Sequence, residues 1–115
     1  MVKKCCFLAL MALLALPSCN NREKVKKPQV FLDEQQMIDV LTDSYLIEAE
    51  LTQMKSSGQE VAPLQKVYYD QLFAHYGISD SIFDENMYYY TYQLPILERI
   101  MDSVANRFLK AQQRQ

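Results

Sequence analysis

Tryptophan is absent from this 115-residue sequence, glycine occurs twice, histidine once, and all three cysteines fall within the first 19 residues. Each scarcity removes a class of function. Two isolated glycines, Gly58 and Gly77, leave no Gly-rich loop to cradle a phosphate. Cysteines confined to one end cannot build a disulfide framework. A single histidine cannot assemble the His and Cys sets that hold transition metals. The longest apolar run, residues 5–16, has 12 residues, whereas a membrane-spanning helix needs about 20. No G-x-S-x-G, H-E-x-x-H or P-loop motif is present. The length suits one small domain, and an apolar content of 50% is enough to build a core.

What is present begins with an address. Lys3 and Lys4 precede the apolar run, and Pro17 and Ser18 follow it, an arrangement that fits a secretory signal peptide. Leu16-Pro17-Ser18-Cys19 resembles the bacterial lipobox, with a branched residue at −3 and a small residue at −1 before a Cys. That resemblance implies a diacylglycerol on the Cys19 thiol and cleavage just before it. The competing reading is an ordinary signal cleaved near Ser18 with Cys19 left free. The expected organisation is a signal over residues 1–18, a lipidated Cys19 with a basic tether over 19–31, and a domain over 32–115. One acyl chain binds a membrane marginally and two anchor it stably, so a lipidated Cys19 would hold the protein on a membrane. Cys5 and Cys6 would leave with the signal, and no thiol would remain for catalysis.

Charge divides along the chain. Residues 20–30 carry Arg22, Lys24, Lys26 and Lys27 against Glu23, net +3, whereas residues 33–115 carry 6 basic and 13 acidic side chains, net −7. A domain of that sign argues against nucleic-acid binding, which needs a basic face. The basic stretch lies where anionic head groups would attract each Lys or Arg by about 1 kcal/mol. Fully extended, eleven residues reach at most ~40 Å. A run of acids after a lipidated Cys resembles a surface-export signal in Bacteroidota. Residues 20–24 hold only Glu23, which points to the periplasmic side of the outer membrane.

The domain reads as four helices. Asp33 is placed to cap the first, with Gln36 completing a capping box and Leu32 and Met37 a hydrophobic staple. Apolar residues recur through Met37, Ile38, Leu41, Tyr45 and Ala49 at helical spacing. Asp39, Asp43 and Glu50 share the opposite face, expected to be solvated. Residues 55–62 break the pattern, and Pro63 suits the first turn of a second helix. Its apolar side is expected to carry Leu64, Val67, Tyr68, Leu72 and His75. Gly77 ends it. Ser79 caps a third helix, in which Phe83, Met87 and Tyr90 face one way. Pro95 opens a fourth, with Ile96, Leu97, Ile100, Met101, Val104, Phe108 and Leu109 as its apolar set. The expected fold is a compact all-α bundle.

Several short stretches, taken in order, match a known pattern: Met37-Ile38-Asp39-Val40-Leu41, Asp43 with Glu48-Ala49, Tyr76-Gly77-Ile78-Ser79, and Phe83-Asp84 with Tyr89-Tyr90. Together with the lipobox they resemble the domain of unknown function 4296 family, found in small lipoproteins of Bacteroidota. The resemblance implies an all-helical envelope lipoprotein and names no reaction. Tyr45 stands where many relatives carry a His, a departure from the pattern.

Four residues are candidates for ligand or partner binding. Glu48 is expected on or beside the apolar face of the first helix, where a carboxylate needs a partner. Arg99, Arg107 or a Tyr hydroxyl would serve structurally, and a bound ligand would serve functionally. Asp43 lies one turn away. Tyr88 and Tyr92 share an outer face of the third helix, and exposed Tyr pairs suit binding surfaces. His75, near a helix C-terminus, is read as structural. No catalytic residue, metal site or cofactor is expected. The sequence therefore reads as a non-catalytic interaction module or accessory subunit of an envelope complex. Its partners would be a membrane, through lipid on Cys19, and an envelope protein. The alternative is a small-ligand or peptide binder using Glu48 and neighbouring tyrosines.

Overall fold

The computed structural model describes residues 24–114. Four helices follow one another: α1 (Glu34–Ser56), α2 (Ala62–Tyr76), α3 (Asp80–Thr91) and α4 (Leu94–Gln113). Among the described residues there is no strand, and the fold is an all-α bundle.

The helix boundaries follow from local chemistry. The Gln36 backbone N–H donates to the Asp33 carboxylate, and the Asp33 N–H donates to the Gln36 side chain, each at 2.9 Å. These reciprocal bonds satisfy two donors that the helix start leaves without partners. Leu32 and Met37, on either side of the cap, are both buried. Pro63 and Pro95 sit in the first turns of α2 and α4, where a missing N–H costs nothing. Gly77 adopts φ 65°. There the Gly77 N–H donates to the Ala74 carbonyl and the Ile78 N–H to the Phe73 carbonyl, a Schellman closure that favours glycine. Ser79 then caps α3 by accepting from the Ile82 N–H.

Helix α1 is the central element. Its contacts to α4 rise together in number, from Glu34–Arg99 to Asp39–Arg107 to Tyr45–Phe108, so the two helices run parallel. Its contacts to α2 run oppositely, with Asp43 met by Tyr76 and Glu48 by Tyr69, as an antiparallel αα-hairpin requires. Helix α3 packs against α4. The core cluster joins Leu32, Met37, Ile38, Leu41, Tyr89, Tyr90, Ile100 and Val104. It therefore fills the half of the bundle nearest the start of α1.

Residues 25–31, expected within a tether, are packed on the domain. Val25 and Phe31 lie against the core cluster, and the Phe31 ring contacts Tyr89 edge-on at 5.5 Å. Asn86 is fully buried in α3 and fixes this strap. It accepts from the Leu32 N–H and donates to the Val30 and Ile82 carbonyls, all at 2.8 Å. The Tyr90 hydroxyl donates to the Leu32 carbonyl at 2.7 Å. Both polar groups of the Leu32 peptide unit are thus held by α3 side chains, as buried backbone groups require.

Four side chains expected on apolar faces are exposed: Tyr45, Val67, Leu109 and His75. In α2 only Leu72 is buried, because α2 has α1 on one side and solvent around most of the rest.

Candidate functional site

Helices α2 and α4 both pack on α1, and between them one face of α1 from Asp43 to Gln53 is left open. The result is a half-open groove of about 870 Å³. Leu46, Ile47 and Ala49 of α1 and Leu72 of α2 give it an apolar floor, and Tyr68 supplies an aromatic wall. Asp43, Glu50, Gln53, Gln71 and His75 bring polar groups to its edge. The last turn of α4, at Ala111 and Gln112, closes the far side. On α1 the lining runs from Asp43 to Gln53, a span of about 15 Å of helix.

Charge in the groove has one sign. Two carboxylates line it and no Lys or Arg does. The C-terminal turn of α4 brings the negative end of a helix dipole, offset there by Lys110 and Arg114. The groove therefore combines apolar area with two carboxylates on its α1 side.

At its lower end, polar contacts tie the three helices together. The Tyr76 hydroxyl donates to Asp43 at 2.5 Å. Arg107 of α4 pairs with Asp39, which also accepts from Gln35. This corrects the expected solvated stripe: Asp39 and Asp43 are half-buried bridging groups, and only Glu50 of the three is exposed. Burial, reinforced by the bond to Asp43, raises the Tyr76 pKa above its ordinary value.

Glu48 is placed differently from expectation. It is exposed, and the Tyr69 hydroxyl donates to it at 2.6 Å. Arg99 and Arg107, the other partners considered, are engaged by Glu34 and Asp39. Burial, then the bond to Glu48, raises the Tyr69 pKa. Tyr69 and Glu48 lie outside the groove lining, so Asp43 and Glu48 serve opposite flanks of the α1–α2 seam.

Tyr88 and Tyr92 form the expected pair on the outside of α3. Their rings are 5.1 Å apart, their hydroxyls 3.3 Å apart, and both side chains are exposed. Cys19 lies outside the described residues.

The family model for the domain of unknown function DUF4296 matches residues 28–114. The chain belongs to the DUF4296 family. The match begins inside the strap and runs through α4, so residues 28–31 of the strap fall within the family's domain. No curated protein and no solved structure matches the chain.

Among the described residues no helix is long and apolar enough to cross a membrane. Nor does any cluster of three or more His, Cys, Asp or Glu side chains there suit a metal ion. Sequence reasoning missed the groove and Asn86. Asn86 had a visible signal: it lies three residues after Phe83 and four before Tyr90, inside the apolar stripe of α3. A polar residue there must find buried partners.

Proposed function

We propose that this DUF4296 member is a membrane-anchored envelope lipoprotein that acts as a non-catalytic interaction module, its groove receiving an amphipathic helix of a partner protein. The groove carries this reading. An apolar floor about three helical turns long, open along one side, matches the helix-in-groove mode of recognition. The partner helix would present apolar residues at i, i+3, i+4 and i+7 to Leu46, Ile47 and Leu72. Its flanking Lys or Arg would meet Asp43 and Glu50 on the α1 side. Such a helix would fill the gap between α2 and α4 beside α1.

The anchor rests on sequence. Leu16-Pro17-Ser18-Cys19 supports lipidation of Cys19 in a Bacteroidota outer membrane, with the domain facing the periplasm. Cys19→Ala is expected to release the protein from membranes washed in high salt, which screens any contact of basic side chains with head groups, and association of that variant that survives the wash would refute the anchor. Glu50→Lys reverses charge at an exposed position and is expected to abolish binding of a Lys/Arg-flanked amphipathic helical peptide to the mature chain. Equal binding by Glu50→Lys and wild type would refute the groove as the docking site.

A further inference from the structure

The strap and the lipid anchor together set an orientation. This inference rests on the anchor proposed above. Cys19 precedes Lys24 by five residues, which span at most ~18 Å. Val25 and Phe31 pack on the core cluster, so the leash ends at Val25 and is shorter than eleven residues. The strap leads into the start of α1, and the start of α4 lies beside it because the two helices run parallel with Arg99 on Glu34. That end of the molecule is the one the leash holds close to lipid.

The chemistry exposed at that end suits a bilayer surface. Lys24, Lys26 and Lys27 are exposed on the strap, the Lys27 ammonium lying over the Phe31 ring at 4.7 Å, and with them at this end stand the exposed acids Asp33 and Glu98. Val30 on the strap, Tyr92 at the end of α3 and Leu94 at the start of α4 are exposed large apolar side chains, at 48%, 42% and 53%. Tyr88 packs beside Tyr92. Cations over anionic head groups, with Tyr and aliphatic side chains beneath them, are the composition of an interfacial contact. Glu85, one turn back on the Tyr88–Tyr92 face, confines that contact to the last turn of α3. The groove lies at the other end. Its lining on α1 begins nine residues beyond Glu34 and ends nineteen beyond, about 14 to 29 Å along the axis. Lys55, Lys110 and Arg114 stand at that far end, out of reach of the leash.

We infer that the strap seats the edge formed by Lys24, Lys26, Lys27, Tyr92 and Leu94 on an anionic lipid surface and directs the groove away from it. The Tyr88–Tyr92 pair is then a lipid-facing device, and the protein partner is met at the far end.

The absence of Trp makes a direct test simple. Mature chain (residues 19–115) is coupled through Cys19, its only thiol, to a maleimide lipid in phosphatidylethanolamine/phosphatidylglycerol vesicles carrying a dansyl head group. A single Trp is introduced at the edge as Tyr92→Trp or Leu94→Trp, or in the hairpin loop as Gln59→Trp. Circular dichroism confirms each fold. Energy transfer to dansyl is expected to be several-fold greater from either edge reporter than from Gln59→Trp. Inserting twelve Gly/Ser residues between Glu23 and Lys24 is expected to shrink that difference, and so is Lys24→Gln with Lys26→Gln and Lys27→Gln. Equal transfer from edge and loop, or a difference indifferent to both changes, would overturn the orientation. Because the anchor is chemical, this outcome is independent of native lipidation. Intact mass of Cys19 from native membranes tests lipidation separately.

Discussion

Replacing Asn86 by Ala is expected to be among the most costly single changes in the domain, although Asn86 does not line the groove. The side chain is fully buried and makes three hydrogen bonds at 2.8 Å. Truncation leaves the Leu32 N–H buried without a partner, which costs about 1–3 kcal/mol. The Ile82 carbonyl keeps its helical partner, and the Val30 carbonyl sits on an exposed residue that water reaches. Those two losses and the small cavity bring the total to about 2–4 kcal/mol. For a domain of this size that corresponds to a drop in Tm of roughly 10–25 °C. Urea unfolding followed by circular dichroism measures it, with Glu85→Ala as an exposed neighbour expected to fall within about 0.5 kcal/mol of wild type. Tyr90→Phe removes the bond to the other end of the Leu32 peptide unit. The double variant is therefore expected to show a coupling of at least about 0.5 kcal/mol. An Asn86→Ala cost no larger than that of Glu85→Ala would refute the docked strap, and with it the short leash.

Alkali is expected to unfold the domain. Burial holds the Tyr69, Tyr76 and Tyr90 hydroxyls above their ordinary pKa, Tyr90 up to about 12. Folding thus favours the neutral phenol, and the stability it lends is complete below pH ~10 and is lost as pH rises through the folded-state values. Tyrosinate absorbance should rise late and together with loss of helicity; full titration before helicity falls would contradict this. Helix α2, with Leu72 as its one buried residue, should exchange its amides with deuterium faster than the middle of α1 or α4. Protection in α2 equal to that in α1 would show that more holds it than the two Tyr–carboxylate bonds and the rings around Phe73.

Much of the fold was legible because it is written in local chemistry. Asp33 with Gln36, Pro63, Gly77, Ser79 and Pro95 mark the helix ends through hydrogen-bond needs that act within a few residues. Which apolar side chains would be covered was harder to read. Val67, Leu109 and Tyr45 have the right spacing, yet burial depends on how much of a helix its neighbours cover; α2 meets α1 along its length and α3 at the Phe73–Phe83 contact, which leaves Val67 exposed. The site was less legible still. Asp43 and Glu48 are one turn apart in sequence but on opposite flanks of the α1–α2 seam, with Tyr76 and Tyr69 as their partners from α2. The groove arises from a gap between α2 and α4, a relation between elements that no single helix pattern encodes. Residues 24–31 lack periodicity and so read as a tether. Their docking depends on one buried Asn 54 positions away from Leu32.

The most direct test of the central claim is site-specific photocrosslinking of the native lipidated protein in membranes. A photoreactive residue at Ile47 in the groove is compared with one at Asp84 on the outside of α3. The account predicts one discrete adduct from Ile47, mapped by mass spectrometry to an amphipathic helical segment flanked by Lys or Arg, lost in Glu50→Lys, and none from Asp84. An adduct mapped to a segment without that character, equal crosslinking from both positions, or no protein adduct from Ile47 would contradict it.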